Sequence, residues 1–277
     1  MPIRVELVKA NFDEGCRTID TLERRAFMDY NTKLINLALD AGEIMLKNGA
    51  ETFRVQDTMK RILSTTGREK IEATALSTAL IVTLPREEKG PLSMMRGVHT
   101  RTVNFEKVCE VNDISRAFVS GKITLEEAIA KLNAIRQALF YPMPLRIFAY
   151  GIISGGCALL SGESAIDGIL SFFIGMLLGC FVFWLGTKKV PYFFEPFLGG
   201  MLAAYCACWM APLFPSSHID TIVIGSIMPL LPGVTFSKSM RDLLEGNLIS
   251  GSTKAVEALV IACSLAGGVG LTLAYFM

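Results

Sequence analysis

LLPGVTFSKSMRDLLEGNLISGSTKAVEA, residues 230–258, interrupts what would otherwise be one long apolar region. The run TIVIGSIMP (residues 221–229) precedes it, and LVIACSLAGGVGLTLAYF (residues 259–276) follows. Pro229 and Pro232 remove backbone donors, and Gly233 permits an unusual turn. In hydrocarbon an unpaired backbone N–H or C=O is costly, so a broken helix survives only where it faces protein or a water-filled cavity. The break therefore points to a wet, protein-lined hollow. Thr235, Ser237 and Ser239 would offer hydroxyls to it. The piece after it, MRDLLEGNLISG, alternates charge with Leu and Ile and would lie at the interface or re-enter the protein.

Charge is unevenly spread along the 277 residues. Residues 1–144 hold 21 Lys+Arg and 19 Asp+Glu, whereas residues 145–277 hold only 6 and 7. With a mean hydropathy of +0.44, this gives two halves: an ordinary charged domain over 1–144 and a membrane domain over 145–277. The near-neutral net charge, with no basic face interleaved with aromatics, argues against nucleic-acid binding. The first residues, MPIRVELVKANFDEGCRTID, have no apolar core and do not read as a signal peptide. The cysteines form no CxxC pair. Those in apolar segments (Cys157, Cys180, Cys206, Cys208, Cys263) read as small hydrophobes, and no metal or cofactor is expected.

Five apolar segments follow from the hydropathy pattern: Leu145–Leu160, Ala165–Gly186, Phe193–Leu213, Ile219–Leu231 and Ala255–Phe276. A spanning helix needs about 20 residues. The fourth segment is too short for that as an unbroken helix. The loops SGESAID and PSSHID carry no Lys or Arg, while TKKVPYFFE and SKSMRDLLEGNLISGSTK do. This strict alternation fits five crossings, with the N-terminal domain in the cytoplasm and the C-terminus outside. Glycines are dense here, and Gly175 and Gly179 form a GxxxG suited to close helix packing.

In the N-terminal half, residues 31–63 show apolar spacings of three and four, interrupted at Gly49 and Ala50, which suggests a kink or two helices in contact. KIEATALSTALIVTLP reads as strand, REEKGP as a turn, and LSMMRG and HTRTVNF as further strands. Thr124-Leu-Glu-Glu127 is a capping box that opens a helix. The fold class is an α+β cytoplasmic domain followed by an all-α five-helix transmembrane domain. Glu51 and Arg54 are spaced to pair on one helix face. His99 is the only histidine of this half, and no G-x-S-x-G elbow accompanies it, so a membrane-tethered hydrolase is the weaker reading. A scaffold subunit is a further alternative. No P-loop is present, which leaves no ATP motor of that type.

The run NGAETFRVQDTMKRI (48–62) resembles the signature at the start of the threonine/serine exporter family. So does RTVNFEKVCEVNDISRAFVSGKITLEEAIAKLNAI (101–135). The ending PGVTFSKSMRDLLEGNLISGSTKAVEAL is similar to that family's order of Pro-Gly, Arg-Asp, Ser-Gly and Glu-Ala. The likeness implies a secondary exporter of threonine and serine, or of a dicarboxylate such as succinate. It implies the split form, in which a larger subunit works with a small five-segment partner; a homo-oligomer is the other arrangement. It implies a multi-pass protein of the plasma (inner) membrane, in contact with lipid and a small-molecule solute. It draws attention to Glu51, Thr52 and Arg54 in the cytoplasmic domain, and to Pro232, Gly233, Asp242, Gly251 and Glu257 in the membrane. The expected solute path is Pro229, Pro232, Gly233, Thr235 and Ser237, with Asp242 or Glu257 carrying a proton. A structural alternative for Glu257 is an i−3 pair with Lys254 at the interface.

Overall fold

The computed structural model describes residues 30–85, 90–98, 102–138, 141–161, 164–188, 190–191 and 193–276. The chain divides into two compact units, Met1–Ala138 and Leu139–Met277.

In the first unit, helix α1 occupies residues 30–47. Its Leu34, Leu37, Ala38, Ala41 and Met45, spaced three and four apart, are all buried. It ends at Gly49, whose φ of 89° lets the Ala50 amide donate to the Met45 carbonyl at 2.9 Å and the Gly49 amide to Leu46 at 3.3 Å. The interruption read at Gly49 is thus a helix end, and a second helix, α2 (Thr52–Ser64), follows.

KIEATALSTALIVTLP forms a hairpin rather than one strand. β1 (Glu72–Ala75) turns at residues 76–78 into β2 (Ala79–Leu84), and β3 (Leu92–Gly97) completes an antiparallel sheet in the order β1-β2-β3. The register pairs Ala73 with Val82, Ala75 with Leu80, and Val82 with Met94. Ala73, Ala75, Leu80, Val82 and Leu84 alternate inward onto the α1–α2 core. The REEKGP turn lies partly outside the described residues, as do His99–Arg101 of HTRTVNF. The rest of HTRTVNF is not strand: Asn104 caps α3 (Phe105–Val119), its side chain accepting from the Lys107 amide. A short polar turn and an N-cap outweigh the β propensity of Thr and Val there. The capping box is present at the start of α4 (Leu125–Gln137): Thr124 N donates to Glu127 Oε2 at 2.9 Å, and Glu127 N to Thr124 Oγ1 at 3.3 Å.

Charges tie this unit together. Asp40 and Glu43 on α1 are bridged by Arg136 of α4, at 2.8 and 3.1 Å, and by Arg96 of β3, whose distance to Glu43 is 3.3 Å. Arg96 also pairs with Asp40, and Lys47 sits 2.6 Å from Glu43.

Among the described residues of the second unit, every regular element is a helix. α5 (Met143–Leu160), α6 (Ala165–Thr187), α7 (Phe194–Met210) with its 3-10 extension Ala211–Leu213, and α10 (Leu248–Phe276) are each long and apolar enough to cross a membrane. Between them lie α8 (Ile219–Ile227), a 3-10 turn (Met228–Leu230) and α9 (Gly233–Leu244). Taken as one bent pair, these also have the length and composition of a candidate crossing. The last helix begins at Leu248, not at Ala255 as hydropathy alone suggested. Ser250, Gly251 and Lys254 are buried against α9 and extend the helix past the apolar stretch.

Small residues set the helix contacts. A side chain at Gly175 on α6 would overlap the Ser154 hydroxyl and strike the Tyr150 carbonyl, and one at Gly225 on α8 would meet Ala158 and the Ser154 carbonyl of α5. A side chain at Gly268 of α10 would collide with the Phe197 backbone of α7. In lipid, where apolar helices gain little from burial against each other, such close approach supplies the packing energy.

Candidate functional site

The break falls where the prolines require it. Pro229 occupies the 3-10 turn, and Pro232 is the N-cap of α9 with φ −81° and ψ 41°. A proline ring cannot follow an α-helical carbonyl four residues back, so α8 ends and the axis swings by 60° into α9. The carbonyls freed at this end find other partners. The Gly225 carbonyl accepts from the Met228 amide, and Met228 accepts from Leu231 at 3.2 Å. The Ser226 carbonyl, in the last turn of α8, accepts the Ser154 hydroxyl of α5 at 3.3 Å. One turn earlier, the Ile222 carbonyl accepts Ser171 of α6 at 3.3 Å. Both serines are completely buried. The short helix is thus held among α5, α6 and α7 by hydroxyls aimed at its backbone. The Ser226 hydroxyl, equally buried, has no hydrogen-bond partner among the described residues.

Gly233 does not make the unusual turn expected of it. It is the first residue of α9 and lacks a positive φ; the two prolines suffice to break the helix. No described atom lies within 4 Å of a side chain placed at Gly233. Pro229, Pro232 and Thr235 are half-buried, and Gly233 and Ser237 are exposed.

MRDLLEGNLISG closes a hairpin between α9 and α10. Gly246, at φ 83°, ends α9; the Asn247 amide donates to the Asp242 carbonyl at 2.8 Å, and Gly246 donates to Leu243 at 3.1 Å. A side chain at Gly251 would press on Leu243, so the two helices touch at backbone distance. Across this contact Ser239 donates to the Gly251 carbonyl at 2.9 Å. Lys254 Nζ donates to Asp242 Oδ2 at 2.6 Å. The Asp242 side chain is fully buried and that of Lys254 is 9% exposed.

Lys254 therefore pairs with Asp242 on the neighbouring helix. Glu257 is half-buried and lies nine residues into α10, about 13 Å from its start. The structure brings Asp242 to the α9–α10 seam and places Pro229–Ser237 at the bend.

In the first unit Glu51 is the N-cap of α2, and Thr52 is fully buried. Glu51 Oε2 is 2.9 Å from Arg54 Nε, whose side chain is 61% exposed. Such a pair is worth roughly 0–1 kcal/mol, so its part in stability is small.

Sequence reasoning missed the buried acid of α6. Asp167 is fully buried in the first turn, accepting from the His218 amide at 2.9 Å, with its other oxygen 3.0 Å from His218 Nδ1. An acid just inside an apolar segment was the available signal. Among the described residues, no group of three or more His, Cys, Asp or Glu could hold a metal ion.

Comparison with known proteins adds lineage to this geometry. A family model described as "Putative threonine/serine exporter" matches residues 36–276. The chain is 24% identical over 245 residues to the "Threonine/serine exporter" of Corynebacterium glutamicum, covering 86% of this chain and 50% of that protein. It is 21% identical over 246 residues to the "Probable threonine/serine exporter" of Mycobacterium tuberculosis, covering 88% and 46%. The chain thus spans about half the length of these two relatives. It is 23% identical over 242 residues to the "Probable succinate transporter subunit YjjP" of Escherichia coli K12, covering 86% of this chain and 92% of that protein. No solved structure matches significantly.

Proposed function

The chain belongs to the threonine/serine exporter family, and from this we propose that it is the membrane subunit of a secondary exporter for small polar metabolites. The solute is threonine or serine, or a dicarboxylate such as succinate, as the names of its relatives suggest. The observation that carries this reading is the 60° bend between α8 and α9. Transporters use helix breaks of this kind to aim backbone groups and helix ends at a solute near mid-membrane. Pro229, Pro232, Gly233, Thr235 and Ser237 line the path in this reading, and the α9 N-terminus faces an anionic group of the solute.

Export is coupled to proton entry, with Glu257 as the carrier. Asp242 is the weaker candidate, because its carboxylate already holds Lys254. The first unit is cytoplasmic, as the alternation of basic loops suggests, and Glu51, Thr52 and Arg54 organise it. The protein resides in the plasma (inner) membrane with five crossings, the bent pair counting as one. A small five-segment subunit or a second copy of the chain completes the pathway; the relative of matching length is itself named a subunit.

The test is efflux of labelled threonine, serine and succinate from vesicles holding the full chain, with and without an imposed pH gradient. Pro232→Ala should lower efflux while leaving protein yield intact. Wild-type efflux in that variant would remove the bend from the mechanism. Absence of flux for every solute, with a partner co-purifying, would favour a scaffold.

A further inference from the structure

We propose that the cleft walled by α5, α6 and the start of α7 binds a zwitterionic group, its anion at Arg146 and its ammonium at Glu195. The cleft measures about 440 Å³. Small-ligand sites run roughly 300–1,000 Å³, so the volume suits a small solute or a headgroup. Apolar walls come from Met143, Ile147, Val182 and Phe183, and the polar groups are Arg146, Tyr150, Thr187 and Glu195.

These polar groups are placed by the fold. Arg146 lies in the first turn of α5 and Glu195 in the first turn of α7. The Arg146 guanidinium lies over the Phe183 ring, 5.9 Å from its centroid, which limits its swing. A side chain at Gly179 would come within 3.1 Å of Tyr150, so the missing Cβ is what lets Tyr150 sit in the wall. Among the described residues, no hydrogen bond or ion pair reaches the Glu195 carboxylate or the Tyr150 hydroxyl. Both are half-buried, and their bonding capacity is open to a guest.

Charge decides the class of guest. A dianion would be drawn to Arg146 but repelled by Glu195, and a simple cation would be repelled by Arg146. A group with both signs a few bonds apart suits both ends, and the Tyr150 hydroxyl supplies a further contact. The cleft also borders the break. A side chain at Gly199, one turn beyond Glu195, would strike Leu230, the last residue before the bend, and would crowd Leu178, the neighbour of Gly179. The cleft is thus a vestibule one helical turn from the proposed path, a placement that rests on the exporter reading.

A free amino acid and a phosphatidylethanolamine headgroup share this chemistry, and the experiment separates them. The full chain is placed in nanodiscs, and binding of labelled L-threonine is compared with Arg146→Gln and Glu195→Gln. Binding weaker by about tenfold or more in each variant assigns the site to a free amino acid. Retention of phosphatidylethanolamine by the wild type in native mass spectrometry, lost in both variants, assigns it to lipid. Either result supports the site. Should the variants fold poorly, alkylation of Thr187→Cys, read peptide by peptide, serves instead: protection by either ligand supports the cleft. The same threonine binding and lipid retention in all forms, or no protection, overturns it. Efflux is scored separately. Wild-type flux unchanged in both variants, alongside unchanged binding, removes the cleft and leaves the exporter reading standing. Absence of flux in the wild type removes that reading, while the binding arms still judge the cleft.

Discussion

Lys254 Nζ and Asp242 Oδ2 lie 2.6 Å apart across the α9–α10 seam, the two residues joined through a turn and separated by twelve positions. Taking both charges out of water is costly, and removing one strips the other of this contact in a poorly polarisable place. Asp242→Asn or Lys254→Met should therefore cost roughly 3–5 kcal/mol and lower the thermal transition of the detergent-purified chain. The double variant Asp242→Leu with Lys254→Met should recover much of the loss. Additive losses would show that the pair does not act as a unit.

Glu257, proposed as the proton carrier, is tested apart from this pair. Glu257→Gln is expected to abolish the response of efflux to a pH gradient while leaving yield and thermal transition near the wild type. Unaltered coupling would take Glu257 out of proton movement and return attention to Asp242 and Asp167.

The buried end of α6 makes a different demand. Asp167 accepts from both the backbone and the ring of His218. Asp167→Ala removes both bonds and should destabilise the second unit by about 1–3 kcal/mol. Hydrogen exchange should then rise at the amides of α8, starting at His218. Unchanged exchange there would mean that the pair does not anchor the entry to α8.

Close approach at Gly175 predicts intolerance of size. Gly175→Leu would drive α5 away from α6 and break the Ser154 contact with α8, costing on the order of 1–3 kcal/mol or preventing folding. Gly186→Ala, at a position where a side chain meets open space, is the matched control and should be neutral within about 0.5 kcal/mol.

What the sequence made legible was local. Thr124 and Glu127 sit three apart, and their capping box depends on nothing beyond one turn. Pro229 and Pro232, set in the interior of an apolar run, break a helix whatever packs around it, so the bend could be read directly. The hairpin at residues 76–78 was hidden because Leu76, Ser77 and Thr78 include neither Gly nor Pro. The start of α10 was misplaced because Ser250, Gly251 and Lys254 look like loop until α9 packs against them. The pairing of Lys254 with Asp242 required knowing that Gly246 reverses the chain. Asp167 and His218 meet across 51 positions, and the cleft polar groups come from separate helices. Such pairings arise from tertiary packing, which spacing along one helix does not encode.

Ser154 and Tyr150 stand one turn apart on α5, each fitted to a glycine of α6: Ser154 at Gly175 and Tyr150 at Gly179. One residue grips the end of α8, and the other walls the cleft. Any rocking of α5 on this glycine track would loosen that grip and reshape the wall in the same stroke, so a guest in the proposed cleft would be geared to the broken helix without a separate messenger.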